Sequence, residues 1–467
     1  MSLINRENHK GDSNGEKIYP FAKWMSWLFL VASTVLLIYT YYRAEITFQG
    51  ARGVVYFKYY LISLVGILFW GVVLRLREGV RANIVTIVIS LVVSLYLIEG
   101  GLRLFKLPAD ISSHMFVAKK YGVEFDTRTQ LEVITDLIAS GEDAIPAIRP
   151  YNIVKIIDEI LPLGGISRAT TVSSNETGRF MVYPSDRYGF NNPDSEWDSS
   201  KVDYLLTGDS FAEGLSVQPG EDIAGQIRLM TKKSVISLGR SGNGPLMELA
   251  AISEYAPKLH PKRVLWVYYE SNDLTANLPA EKMFLMLMNY LDDNFSQNLI
   301  NHQPEIDQFL REYAQDAQDA QDAQDAQDAQ DAQDAQEKTE WIKLLAVRQL
   351  LNLDTRDIVD PLFSIILNKA KSRTEAWGGE LYFVYLPGQD RYKNTVISHD
   401  QYRQKAEILN LVESLNIPII DIHQQVFAKH FDPLSLFPFR VYGHYNAVGY
   451  SKVAKAIIKK INHQELK

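Results

Sequence analysis

The sequence predicts an α/β protein with N-terminal transmembrane helices and a domain built on a parallel sheet. Long uncharged stretches fill much of residues 24–106. From residue 201 onward, short apolar runs alternate with polar, helix-like stretches. The runs are Val202–Thr207, Val235–Leu238, Val264–Tyr269, Leu381–Leu386 and Ile417–Ile422. They are apolar at consecutive positions, as strands need when helices cover both faces of a sheet. At 467 residues, 46% of them hydrophobic, the chain is long enough for two or three domains and a large core.

Residues 1–23 read as a cytoplasmic tail and residues 24–106 as a membrane region of about three helices. Trp24–Tyr42 is an uninterrupted apolar run about as long as a bilayer core requires. Val54–Leu74 is a second, with Lys58 close enough to its end to snorkel, and Ile84–Ile98 a shorter third. No small-residue cleavage pattern follows the first run, so an anchor is expected and not a removed signal peptide. Lys10, Lys17 and Lys23 precede the first helix, and Arg75, Arg77 and Arg81 lie between the second and third. The positive-inside rule places both groups in the cytoplasm, although Arg43 and Arg52 weaken the contrast. A multi-pass membrane protein with its large domain periplasmic or extracellular is the expected arrangement.

Composition narrows the partners. The chain has no cysteine, so disulfides and cysteine-ligated metals are excluded. A net charge of -8 argues against nucleic acid. Seven Ala-Gln-Asp repeats, Ala314 through Asp334, carry most of that acidity and form a low-complexity insertion at 314–337. Period three does not match the helix period, so the alanines make no stripe. Around the insertion, Met283–Tyr290 and Trp341–Leu351 read as helical. Residues 107–200 form a lead-in expected to pack on the domain at 201–467, with Met181–Tyr183 as a short strand before a turn-rich segment.

Four blocks carry the candidate chemistry. Gly208-Asp209-Ser210 directly follows the first apolar run, where a strand hands over to a helix and a sharp turn can expose a hydroxyl. Gly239-Arg240-Ser241-Gly242, Glu270-Ser271-Asn272-Asp273 and Gly443-His444-Tyr445-Asn446 come later in the chain. A serine hydroxyl needs a base to take its proton, and His444, in a glycine-flanked loop before a final helix, has the best claim among the nine histidines. Acyl transfer also needs donors aimed at the developing oxyanion. The N–H groups of Gly242 and Ser210 and the amide of Asn272 are of the right kind. Taken singly, Gly242 reads as a turn glycine and Asn272 as a helix N-cap; the ordered set points elsewhere.

That set resembles the SGNH (GDSL-type) hydrolase family over about Asp203 to Ile461. Ser210 matches its nucleophile, Gly242 and Asn272 its oxyanion hole, and His444 its base, followed by the usual Asn446 and Gly449. Ser185-Asp186-Arg187-Tyr188-Gly189-Phe190 is similar to a lead-in of membrane-anchored bacterial members. The resemblance implies a flavodoxin-like three-layer fold and a serine esterase or O-acyltransferase. It also implies acyl, above all acetyl, esters of carbohydrate or lipid as substrates, with no metal and no cofactor. One position departs. Relatives carry an aspartate two or three residues before the histidine, where this chain has Tyr442 and Val441. Asp432 is the candidate orienting acid, with Asp421 as a second, or Ser210 and His444 work as a dyad. The alternative function is a catalytically weak protein that binds glycan or scaffolds an envelope assembly.

Overall fold

The computed structural model describes residues 20–47, 53–104, 111–153, 160–199, 201–324, 359–393, 404–441 and 443–465. They fall into two compact units, one ending at Leu104 and one beginning at Ile111.

The first unit consists of α1 (Pro20–Tyr41), α2 (Gly53–Val73) and α3 (Glu78–Leu104). Phe29 of α1 stacks on Trp70 of α2 with ring centroids 4.7 Å apart. Arg81 closes the α2–α3 turn by donating to the Leu74 carbonyl at 3.1 Å. Two stretches, Pro20–Ile46 and Glu78–Ile98, are long and apolar enough to cross a membrane. The apolar part of α2, Tyr59–Val73, is shorter. The second expected span therefore falls short of that length among the described residues, while the first and third reach it.

The second unit opens with α4 (Ile111–Lys120) and α5 (Gln130–Ala139), followed by a small sheet of β1 (Ala144–Pro146), β2 (Thr170–Val172) and β3 (Val182–Pro184). β1 pairs parallel and β3 antiparallel to β2. The large sheet contains β4 (Tyr204–Gly208), β5 (Val235–Ser237), β6 (Arg263–Tyr269), β7 (Glu380–Leu386) and β8 (Ile419–Asp421). All are parallel, in the order β5-β4-β6-β7-β8. The order reverses at β4, which is the flavodoxin-like switch point, and ligands bind beyond the carboxyl ends of strands at such a point.

Helices cover both faces. α6 (Ser210–Glu213) and α7 (Ile223–Thr231) follow β4, α8 (Pro245–Tyr255) follows β5, and α9 (Gln303–Gln324) enters the repeat. α10 (Pro361–Ala376) precedes β7, α11 (Gln404–Ser414) precedes β8, and α12 (Ala447–Glu465) ends the chain. Val264, Trp266 and Tyr268 pack with α8 and α10 on one side; Leu265, Val267 and Tyr269 pack with α7 and α12 on the other. Each fully buried large side chain contributes roughly 1.5–3 kcal/mol, which is why the strands are apolar throughout. Ile145, Ile148, Leu163, Ile166 and Phe190 of the lead-in belong to the first of these cores. Asn192 also blocks the open edge of the large sheet, because its amide accepts from the Ser237 N–H and donates to the Ser237 carbonyl.

Most of the expected insertion at 314–337 lies outside the described residues, as does the helix expected at Trp341–Leu351. The first repeats continue α9. α10 was not expected from the sequence. Asp360 caps it by accepting from the Leu362 N–H at 3.0 Å, and Pro361 occupies its first turn.

Candidate active site

Ser210 begins α6, one residue beyond β4 and Asp209. Asp209 caps the helix by accepting from the Phe211 N–H at 2.9 Å, and Gly214 ends it in a left-handed conformation. One turn of helix thus holds the hydroxyl at the carboxyl edge of β4. The His444 loop lies just before α12 and packs in the same core as α6. His444 Nε2 lies 2.7 Å from Ser210 Oγ.

The opposite ring nitrogen, Nδ1, lies 2.9 Å from Glu176 Oε1, and the His444 N–H donates to Glu176 Oε2 at 2.8 Å. An ionised carboxylate only accepts, so Nδ1 carries the proton and Nε2 is left to accept from the serine. Gly443 makes this approach feasible, since a Cβ there would stand 2.5 Å from Glu176 Oε2. The Phe211 ring, 4.7 Å from the imidazole, packs against it.

The expectation that Asp432 or Asp421 orients the histidine is corrected. Asp432 is paired with Arg440 on an exposed loop. Asp421 accepts from the Gln424 N–H at 3.1 Å and pairs with Lys405 at 2.6 Å. Tyr442 lies outside the described residues. The carboxylate at the imidazole belongs to the lead-in, in the loop between β2 and β3. Its neighbours fix that loop. Asn175 donates to the Asp126 carbonyl at 2.9 Å, Ser174 bonds Ser216 at 3.1 Å, and Thr177 donates to the Ser216 carbonyl at 3.1 Å. Sequence reasoning missed Glu176, because a glutamate in a polar loop 268 residues from its partner carries no local signature.

Burial and charge act against each other on this pair. Burial pushes the Glu176 carboxyl up, but the His444 cation and hydrogen bonds outweigh it and hold the group down at about 2. Burial pushes His444 down, yet the Glu176 carboxylate leaves it above its ordinary value of 6.5. His444 therefore takes up a proton more readily than a solvated histidine, the property a general base requires.

Gly242 and Asn272 meet Ser210 at the same sheet edge, beyond β5 and β6. Among the described residues neither the Ser210 N–H nor the Gly242 N–H has a hydrogen-bond partner. Gly242 adopts φ +86°, a conformation that side chains beyond glycine rarely take. Its loop is held by Glu213 of α6, which accepts from the Ser241 N–H at 2.7 Å and from the Ser241 hydroxyl. Glu213 also forms a buried ion pair with Arg240 at 3.4 Å, and Arg240 donates to Tyr183 of β3 at 3.1 Å. Asn272 does not cap a helix with its side chain. One proton of its amide goes to Asp209 Oδ2 at 3.0 Å; the second has no partner among the described residues. Burial raises the Asp209 carboxyl, opposed by its bonds to Phe211 and Asn272.

A cavity of about 560 Å³ lies between the lead-in and the Ser241 loop, lined by neighbours of the site residues and not by Ser210 or His444 themselves. Its wall includes Ser174 and Asn175, which lead to Glu176, and Ser241, which leads to Gly242. Phe125, Phe180 and Asn152 line it from the lead-in. No group of metal-ligating side chains occurs among the described residues.

No protein-family model matches the chain, and no curated protein does. Solved structures do. A lipase/acylhydrolase from Enterococcus faecalis is 11% identical, with 56% of this chain and 96% of that one covered and a TM-score of 0.32. A two-domain esterase (CEX) active on acetylated mannans is 11% identical, covering 58% of this chain and 51% of that one, TM-score 0.30. An acetyl xylan esterase, AlAXEase, is 12% identical, covering 55% and 98%, TM-score 0.29. Likeness at this level decides nothing about chemistry, which rests on the geometry of Ser210, His444 and Glu176.

Proposed function

We propose that the chain is a membrane-anchored serine esterase or O-acyltransferase, with its second unit outside the cytoplasm. The observation that carries this reading is the relay of 2.7 Å from Ser210 Oγ to His444 Nε2 and 2.9 Å from His444 Nδ1 to Glu176. In the first step the Ser210 proton passes to Nε2 while Oγ bonds the ester carbonyl carbon. The carbonyl electron pair moves onto oxygen, facing the N–H groups of Ser210 and Gly242 and the free proton of the Asn272 amide. The imidazolium, steadied by Glu176, then protonates the leaving alcohol, and an acyl-enzyme remains. Water or a sugar hydroxyl, deprotonated by His444, releases the acyl group.

Acetyl esters of carbohydrate are the substrate class we infer. The nearby cavity supports it, because Phe125 and Phe180 line it together with Ser174, Asn175 and Asn152, and with the charged Arg128 and Arg149. A size of about 560 Å³ falls within the range of small-ligand pockets. The alternative of a binding or scaffolding role drew its support from a missing orienting acid, and Glu176 stands in that place. Turnover of an activated acetyl ester by the full chain in detergent tests the proposal. One acetyl group should accumulate on the peptide carrying Ser210. An unmodified Ser210 during turnover would refute the acyl-enzyme.

A further inference from the structure

α12 buries Val453, Ala454, Ile457 and Ile461 against the large sheet. Lys452, Lys455, Lys459 and His463 recur at spacings of three and four and form one stripe, with Lys460 beside it. Lys429 and His430 face that stripe across a groove of about 610 Å³. No carboxylate lines the groove. Among the described residues none of its five lysines has an ion-pair partner. Asp421 and Asp432, which bracket Lys429 and His430 in the chain, are engaged with Lys405 and Arg440.

Like charges three and four residues apart destabilise a helix, and the facing Lys429 adds to the repulsion. The chain as a whole has more acids than bases, 56 against 48, so carboxylates to neutralise the stripe were available in its composition. Five lysines left unpaired in one concavity therefore point to an anion from outside the chain. All are lysine and none arginine. A guanidinium fork suits one carboxylate or phosphate held bidentately, whereas hydrated ammonium groups suit a diffuse array of anions. The same chain carries helices long enough to cross a membrane, which keeps a lipid surface at high local concentration.

We propose that this groove binds the phosphate groups of anionic lipid headgroups. The inference rests on the membrane-anchored reading above but not on its chemistry. The test uses the full chain reconstituted into vesicles of phosphatidylcholine, alone or with phosphatidylglycerol added. An amine-acylating reagent that cannot cross membranes is applied, and each lysine is read by mass spectrometry. Lys452, Lys455, Lys459 and Lys429 should react about fivefold less in the anionic vesicles, the change that one lysine's attraction to such a surface gives. Protection should vanish at high salt. It should also vanish from the remaining lysines in the double variant Lys455→Glu/Lys459→Glu, while Lys232 reacts alike throughout. Equal reactivity in the two vesicle types would overturn the proposal. Protection by soluble polyphosphate in neutral vesicles, without protection by anionic lipid, would overturn the lipid as the source of phosphate. Release of the chain by an alkaline carbonate wash would refute the anchoring alone, because lysine protection is read on the vesicles before the wash.

Discussion

The large parallel sheet and the small β1–β3 layer supply the same site by different means. In the large sheet, repetition does the placing. β4, β5 and β6 end at one edge, so Ser210, Gly242 and Asn272 converge because each follows its strand by a few residues. In the small layer nothing repeats. Glu176 is aimed by individual side-chain bonds, from Asn175 to Asp126 and from Ser174 and Thr177 to Ser216. A nucleophile needs a sharp strand-to-helix turn, which a sequence shows. An orienting acid needs only a carboxylate at the right point in space, which any layer can supply.

Substitutions sharpen this contrast, beginning with the sheet. Ser210→Ala and His444→Ala should each lower kcat by about 10⁵–10⁶, and the double variant by little more, since the two act as one unit. Independent, additive losses would break the relay. In the small layer, Glu176→Gln keeps the shape but removes the charge, and should lower kcat on the order of 10²–10⁴. Asp432→Asn should leave activity within about twofold, because an exposed ion pair away from the imidazole contributes little. A reversed ranking of these two variants would return the orienting role to Asp432.

Acidity separates the regions further. The raised His444 holds its proton to higher pH than a solvated histidine, so kcat/KM should rise with pH through a midpoint above 6.5 and fall away on acidification. With Glu176→Gln the carboxylate that raises His444 is gone, and the midpoint should move down. An unmoved midpoint would mean that Glu176 does not act on the imidazole.

Smaller effects join the two layers. Glu213→Gln weakens the buried pair with Arg240 that links α6, the Gly242 loop and β3, and should cost about 3–5 kcal/mol of stability in chemical denaturation. Smallest of all, Glu248→Gln in the large-sheet core should raise the melting temperature slightly at neutral pH. Burial, with Asp273, Asp209 and Glu281 nearby, pushes Glu248 far up, and among the described residues its carboxyl oxygens have no hydrogen-bond partner. A carboxyl raised on folding opposes stability once the pH exceeds its unfolded value, so removing it should help above that pH and do nothing in acid. Destabilisation at neutral pH would contradict this.

The same contrast explains what the sequence made legible. Continuous apolar runs placed the five strands of the large sheet to within a residue or two, because burial on both faces leaves no freedom in composition. The turn at Ser210 and the loop at His444 were legible because glycine and the catalytic residue types occur together there. The small layer was not. β1, β2 and β3 span three residues each, too few to show alternation, and only β3 left a recognisable trace at Met181–Tyr183. Glu176 was hidden with them. Asp432 and Asp421 stood as carboxylates that another loop could supply, and the attachment of Asp432 to Arg440 could be seen only in three dimensions.

The most direct test of the Ser210–His444–Glu176 relay is labelling of the full chain by a fluorophosphonate probe, followed in time, for the natural chain, Glu176→Gln and Asp432→Asn. Labelling on Ser210 that is fast in the natural chain and in Asp432→Asn, and slower on the order of 10²–10⁴ in Glu176→Gln, is the predicted result. Equal rates in the natural chain and Glu176→Gln would contradict the relay at the point where the two layers meet.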